Sequence, residues 1–244
     1  MQSRKRTDVT LVLPCYNESG LFTESVRRIT QVLELVKMSH EIIFVDDASS
    51  DGTQDLILEA IKIHKNARAI FHAKNLGRGQ TVADGIKAAK GKIVGYIDID
   101  CEVSPVYIPQ IVTMLLQNKA DMVIGKRFYR TSAGSIFREI LSRGYQVLSD
   151  RLIGTGGRDT ESGYKFFNRA KIMPVLKKPR HRGWFWDTEI TVYADRAGLI
   201  IKEVPVLFLR RFDKHSSVHI VRDTLDYLVH IWQFRKRLSP SVVR

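Results

Sequence analysis

Cysteine is scarce in this 244-residue chain, with only Cys15 and Cys101 present. The two lie far apart and have no metal-like spacing, which argues against a disulfide framework and fits a reducing compartment. No stretch reaches the ~18 consecutive apolar residues of a spanning helix. The basic start is followed only by a short strand-like run, not by the apolar core of a signal peptide. The Gly-rich "GTGGRDTESG" (154–163) is neither a Walker A loop nor a GxGxxG opening a helix after a strand. The seven histidines show no HExxH and no paired Cys/His spacing, which argues against zinc. No GxSxG nucleophile elbow occurs. Acidic side chains are also in deficit: 26 Asp and Glu face 39 Lys and Arg, a net charge of +13. That excess predicts an anionic partner: nucleic acid, a membrane face or a phosphorylated ligand. Aromatics do not interleave with Lys and Arg on candidate strands, which argues against an RNA-binding sheet.

What is present is a regular alternation. Apolar β-rich runs at 9–14, 41–47, 67–73 and 92–100 alternate with helical patterns at 21–38, 53–65 and 79–91. This order predicts an α/β fold: a mostly parallel, doubly wound, Rossmann-like sheet with helices on both faces. A helix at 105–118, a strand at 120–128, a helix around 135–152, a helix at 185–198, an edge strand at 200–211 and a terminal helix at 221–238 complete the reading. No clean linker appears. Sheets of this kind bind ligands at the carboxyl ends of their strands, which here are "PCYNES", "VDDASSDGT", "HAKNLGRG" and "DIDCE".

Three acids end the fourth strand at alternate positions: Asp98, Asp100 and Glu102. If the strand persists, all three point to one face. Clustered carboxylates repel unless a cation sits among them, and an oxygen-only set suits Mg²⁺ or Mn²⁺. The alternative is a solvated strand end. Asp46 and Asp47 close the second strand, where a carboxylate can meet a ribose or base. Tyr16 could face a nucleobase and Glu18 hold the ribose, against a plain helix-capping loop. Lys74, Gly77, Arg78 and Gly79 precede a helix start and favour an anion, with a flexible basic turn as the alternative. Lys126 and Arg127 end another strand, where Arg could pair bidentately with phosphate.

In this order, "LVLPCYNES", "EIIFVDDASSDGT", "KNLGRGQTVADGIKAAKGKIVGYIDID", "MVIGKRF", "DTESGYKFFNR" and "EVPVLFLRR" resemble the inverting family 2 glycosyltransferases of GT-A fold. Within that family the closest resemblance is to the polyprenyl- and dolichyl-phosphate sugar transferases, the branch of dolichol-phosphate mannose synthase. The resemblance spans roughly residues 10 to 211. It implies a catalytic domain over 1–211, and an acceptor loop with an amphipathic helix over 212–244. Pro14, Tyr16, Glu18, Val45 and Asp47 would line the nucleotide pocket, joined by Lys74 and Gly79. Asp98 and Asp100 match the family's DxD, with Glu102 where the branch often carries Gln. Arg127, Asp159, Ser162, Gly163 and Lys165 match the acceptor side, where Arg127, Ser162 and Lys165 would meet the lipid phosphate. Arg211 is kept, but "RRFDKHSSVH" departs from the usual Gly then Ser-Lys, leaving Lys214 at the Gly place.

The resemblance implies metal-dependent displacement at the anomeric carbon. A hexose would pass from GDP-mannose or UDP-glucose to a polyprenyl phosphate, with Asp98, Asp100, Arg127, Lys165 and Arg211 carrying the chemistry. A phosphate acceptor is already anionic, so positioning and electrostatics would suffice. Were the acceptor a glycan or protein hydroxyl, Asp187 or Glu189 would be the base. A non-catalytic nucleotide-binding module is the remaining alternative. Leu225, Leu228, Val229, Ile231, Trp232 and Phe234 stripe the terminal helix, ahead of Arg235, Lys236 and Arg237. That pattern suits either packing on the core or peripheral attachment to the cytoplasmic face of a membrane, with or without a separate anchor subunit.

Overall fold

The computed structural model describes residues 7–35, 38–129, 147, 149–209 and 220–238. The chain begins β1 (Val9–Cys15), α1 (Ser19–Leu35), β2 (His40–Asp46), α2 (Thr53–Ile63), β3 (Ala67–Phe71), α3 (Arg78–Ala88) and β4 (Ile93–Ile97). It continues through α4 (Ile108–Leu116), β5 (Met122–Tyr129), β6 (Tyr164–Asn168), a short α5 (Arg169–Ile172), α6 (Trp186–Arg196), β7 (Ile201–Phe208) and α7 (Ile220–Leu238). The helix expected around 135–152 lies largely outside the described residues.

The seven strands form one sheet in the order β3-β2-β1-β4-β6-β5-β7. β1 is buried along its whole length, as a continuous apolar run at the sheet centre must be. It pairs in parallel with β2 and β4, and β2 pairs in parallel with β3. β6 is antiparallel to both β4 and β5, while β5 and β7 are parallel. Two reversals cancel, so β4, β5 and β7 share one direction and their carboxyl ends share one edge. One face of the sheet packs under α1, α2 and α4 through Phe22, Ile29, Ile57, Ile111 and Leu115. The other packs under α3 and α6 through Val82, Ile86, Trp186 and Ile190.

β6 had no counterpart in the sequence reading. Its segment "YKFFN" carries a lysine at its second position, and a buried strand rarely does. Lys165 is nonetheless fully buried, beside Tyr96 in the pairing with β4. α7 resolves the choice posed by its stripe in a divided way. Ile231, Phe234 and Leu238 are buried in a cluster with Ile153, Phe185 and Val192. Val229 and Trp232 stay exposed, and Lys236 Nζ lies 3.4 Å from the centre of the Trp232 ring. Among the described residues, no helix is long and apolar enough to cross a membrane.

Candidate active site

The first two strand-end loops lock together. Asp51 Oδ2 accepts from the Ser19 amide at 2.9 Å, while its Oδ1 accepts from the Thr53 amide and hydroxyl at 3.1 and 2.6 Å. Burial pushes the Asp51 carboxyl up, but the Thr53 and Ser19 donors outweigh it and lower the pKa to about 2. Asn17, at φ 54, exchanges hydrogen bonds with Ser49 and Ser50. This scaffold presents Tyr16, 50% exposed, at the rim, with Glu18 half-buried beside it. Pro14 and Val45 lie buried inside the paired strands, opposite each other in the register of β1 and β2.

Asp47 is placed differently from expectation. Its Oδ1 accepts from the Leu76 amide at 2.8 Å and lies 2.8 Å from His72 Nδ1, and its Oδ2 accepts from the Gly77 amide at 2.8 Å. Both oxygens serve to hold the loop before α3. The start of α3 is likewise engaged internally, because the Gln80 amide donates to the Arg182 carbonyl at 3.0 Å. Packing alone requires a glycine at Gly79: a Cβ there would lie 2.7 Å from the Gly183 carbonyl oxygen and run into Trp186. Lys74 stays exposed.

The acidic motif corrects the alternation argument. β4 stops at Ile97, and the chain turns through Asp98 to Cys101, whose φ is +53°. The Glu102 amide donates to Asp100 Oδ1 at 3.2 Å, a turn contact that replaces the strand ladder. Ile99 and Cys101 point into the core while Asp98, Asp100 and Glu102 stay half-buried. Among the described residues no three Asp, Glu, His or Cys side chains converge as a metal cage, so the three-acid cage of Asp98, Asp100 and Glu102 is not assembled. What remains is an all-oxygen donor set. Burial raises the Asp98 pKa against the pull of Arg78, and Asp100 and Asp187 add to the rise. Such a pair of carboxylates fits a hard cation that takes its other ligands from a diphosphate.

Behind the motif lies a closed charge network. Arg78 Nε and Nη2 both donate to Asp98 Oδ1, at 2.8 and 2.6 Å, and Nη1 donates to Asp187 Oδ2. Asp187 Oδ1 accepts from the Tyr96 hydroxyl and from Lys165 Nζ, the latter at 3.2 Å. Lys165 Nζ also donates to the carbonyls of Thr160, at 2.9 Å, and Ser162. Burial pulls the Lys165 pKa down, countered in part by Asp187 and Asp159. Burial likewise pushes the Tyr96 hydroxyl well up, with Asp187 adding to it. Burial works against charge on Arg78, yet Asp187 and Asp98 hold its pKa above the ordinary arginine value. Gly163 is required at close quarters, since a Cβ would collide with Asp98 Oδ2. The Trp184 ring covers the network, 4.4 Å from the Arg78 guanidinium carbon, and is itself 62% exposed.

The residues expected to grip an acceptor phosphate turn inward. All three donors of Lys165 are taken, and its side chain is 0% exposed. Arg127 holds Asp159 bidentately at 2.8 and 2.8 Å, with Glu161 at 3.7 Å. Burial pushes the Asp159 carboxyl up, but Arg127 outweighs it and holds it below the usual range. Ser162 Oγ donates to the Gly125 carbonyl at 2.7 Å, and the Asp159 amide to Glu203 at 2.8 Å. These bonds pin the 159–163 loop to β5 and β7. Arg211 and Lys214 lie outside the described residues. Of the two candidate bases, Asp187 joins the site. Glu189 does not: it accepts from the Arg180 and His181 amides and from Arg237, tying α6 to α7. Tyr96 had no assigned role in the sequence reading, and Arg78, read there as a cation favouring an anion at a helix start, donates to Asp98 and Asp187. The pairing of a charged residue with flanking glycines in "LGRGQ" was the available signal for Arg78.

Residues 10–175 match the family model described as "Glycosyl transferase family 2". Glycosyltransferase AglD of Haloferax volcanii is 29% identical over 245 residues, which cover 97% of this chain and 39% of that protein. The dolichyl-phosphate beta-glucosyltransferase of Dictyostelium discoideum is 28% identical, covering 93% of this chain and 77% of its own length. The Saccharomyces cerevisiae protein of the same name is 27% identical over 81% of this chain and 66% of its own length. The chain therefore spans less than two thirds of two of these relatives. Among solved structures, glucosyl-3-phosphoglycerate synthase from Mycobacterium tuberculosis, in complex with Mn²⁺, UDP and glucosyl-3-phosphoglycerate, aligns with a TM-score of 0.68 at 23% identity. The alignment covers 96% of this chain and 82% of that one. At that identity the likeness is one of fold, and it makes the sheet described above a GT-A-like one.

Proposed function

From the premise that the chain belongs to glycosyl transferase family 2 and is a glycosyltransferase, we propose that it transfers glucose from UDP-glucose to a polyprenyl phosphate. The observation that carries the acceptor class is the state of Asp187. Two cations and a phenol already occupy its two oxygens. A hydroxyl acceptor needs a base within reach of its proton, and Asp187 would have to shed a partner to serve. A phosphate monoester needs none. The names of the Dictyostelium and yeast relatives support the same acceptor and favour glucose over mannose.

In this reading Tyr16 and Glu18 meet the nucleoside, and Asp98 and Asp100 hold Mg²⁺ or Mn²⁺ together with the donor's diphosphate. The metal, when bound, neutralises charge on the departing nucleoside diphosphate. Tyr96, Lys165 and Arg78 keep Asp187 and Asp98 fixed, so that no reorganisation is needed as charge shifts. Attachment to a membrane surface, at its cytoplasmic face, belongs to the same proposal. The exposed Val229 and Trp232, with Lys236 against the indole and Arg235 nearby, form an interfacial stripe suited to anionic lipid.

The test is incubation with radiolabelled UDP-glucose, GDP-mannose and polyprenyl phosphate, with Mn²⁺ or EDTA, followed by extraction into organic solvent. Label from UDP-glucose should enter the organic phase only with metal, and Asp100→Ala should abolish it. Label appearing only in water-soluble glycan or protein would refute the acceptor. Undiminished turnover in EDTA would refute the metal.

A further inference from the structure

Asp98 is the first acid of the motif, yet a cation of the protein's own already sits on it. Two N–H groups of Arg78 converge on Asp98 Oδ1, and a third reaches Asp187. The Arg78 side chain is only 11% exposed, under the Trp184 ring. The second oxygen, Asp98 Oδ2, lies against Gly163 so closely that a Cβ would not fit. Arg78 and Lys165 together supply two positive charges against the two negative charges of Asp98 and Asp187. This part of the site is balanced without any metal.

We propose that Arg78 is a resident counter-cation for Asp98 that competes with the divalent metal, so that metal is held only together with the donor's diphosphate. The proposal rests on the metal-dependent reading above. A bare divalent ion approaching Asp98 meets a guanidinium a few ångströms away, in a half-buried setting where like charges repel more than in water. A diphosphate changes that balance twice over. It brings its own oxygen ligands to the metal, and its anionic oxygens can take the N–H groups that Arg78 withdraws from Asp98. The planar fork of arginine spans two carboxylates at once and so holds the charge in place. Arg78 is on this account a positioning residue that sets the order of binding.

Isothermal titration of Mn²⁺ alone, without nucleotide, tests this on the full chain, with circular dichroism and melting to check folding. Arg78→Gln should bind Mn²⁺ about tenfold or more tightly than the unaltered protein, the effect of removing one nearby positive charge. Arg78→Lys, which keeps the charge, should stay near the unaltered value. A purely structural arginine predicts the opposite, because a damaged site binds metal less well. Unchanged or weaker Mn²⁺ binding by a natively folded Arg78→Gln overturns the proposal. If that variant does not fold, the unaltered protein decides: equal Mn²⁺ affinity with and without UDP overturns it. Failure of Mn²⁺ to bind even with UDP removes the metal reading as well. Binding with UDP but no gain in Arg78→Gln removes only the role given to Arg78.

Discussion

Replacing Lys165 with methionine separates two accounts of that residue. Methionine keeps most of the side-chain length and removes the ammonium. In the structure the ammonium donates to Thr160 and Ser162 carbonyls and to Asp187, with no exposure to solvent. Losing the donor leaves two buried carbonyl oxygens short of a partner, at about 1–3 kcal/mol each. Breaking a buried ion pair from one side costs about 3–5 kcal/mol. Asp187 keeps Arg78 and Tyr96, and methionine is easier to bury than an ammonium, so the terms do not add in full. A net loss of about 3–5 kcal/mol is expected. For a domain of this size each kcal/mol lowers Tm by about 2–4 °C, so the melting point should fall by roughly 6–20 °C. Urea titration followed by circular dichroism, with the slope compared between variants, measures the loss directly. If Lys165 instead reached out to an acceptor phosphate, Lys165→Met would raise the acceptor KM and leave the urea midpoint almost unmoved. A loss under about 1 kcal/mol, within reach of ordinary surface substitutions, would refute the buried-network account.

Gly79→Ala should cost about 1–3 kcal/mol through overpacking against Gly183 and Trp186. Because that contact sets the segment bearing Trp184 and Asp187, kcat should fall by about 10²-fold, as for an ångström-scale misplacement; a stable, fully active variant would contradict it. For Asp51 the folded pKa is depressed, to about 2. Its stabilisation is therefore present above the unfolded value of about 3.9 and is lost as pH falls through the folded one. The gap in urea midpoint between the unaltered protein and Asp51→Asn should hold above about pH 5 and close toward about pH 2. A gap that does not change with pH would mean that the Ser19 and Thr53 bonds do not depend on the charge.

Much of the fold was legible because its signals are local. β1, β2 and the helix between them announce themselves by apolar runs and helical spacing, and the observed bounds differ by only a few residues at each end. Tyr16, Glu18, Asp98 and Asp100 stood out as candidates because they end strands, and parallel strands deliver their carboxyl ends to one edge. β6 was not legible. A five-residue strand with a lysine at its second position carries no clear apolar period, and its antiparallel place between β4 and β5 comes from partners distant in sequence. The internal partners of Arg127, Ser162 and Lys165 were not legible for a related reason. A motif marks that a polar residue matters; it does not say whether its donors face a ligand or the protein's own carbonyls.

By itself the sequence determined the alternation of strands and helices, the edge where chemistry collects and the acids that end β4. These follow from side-chain periodicity and from the direction of parallel strands, which need no long-range information. Tertiary structure alone decided which charges meet. Arg78, Tyr96, Asp98, Lys165 and Asp187 come from four separate segments, and their convergence sets two cations against two carboxylates at a largely enclosed point. That mutual neutralisation is a property of the packed state, and no segment carries it in its own spacing.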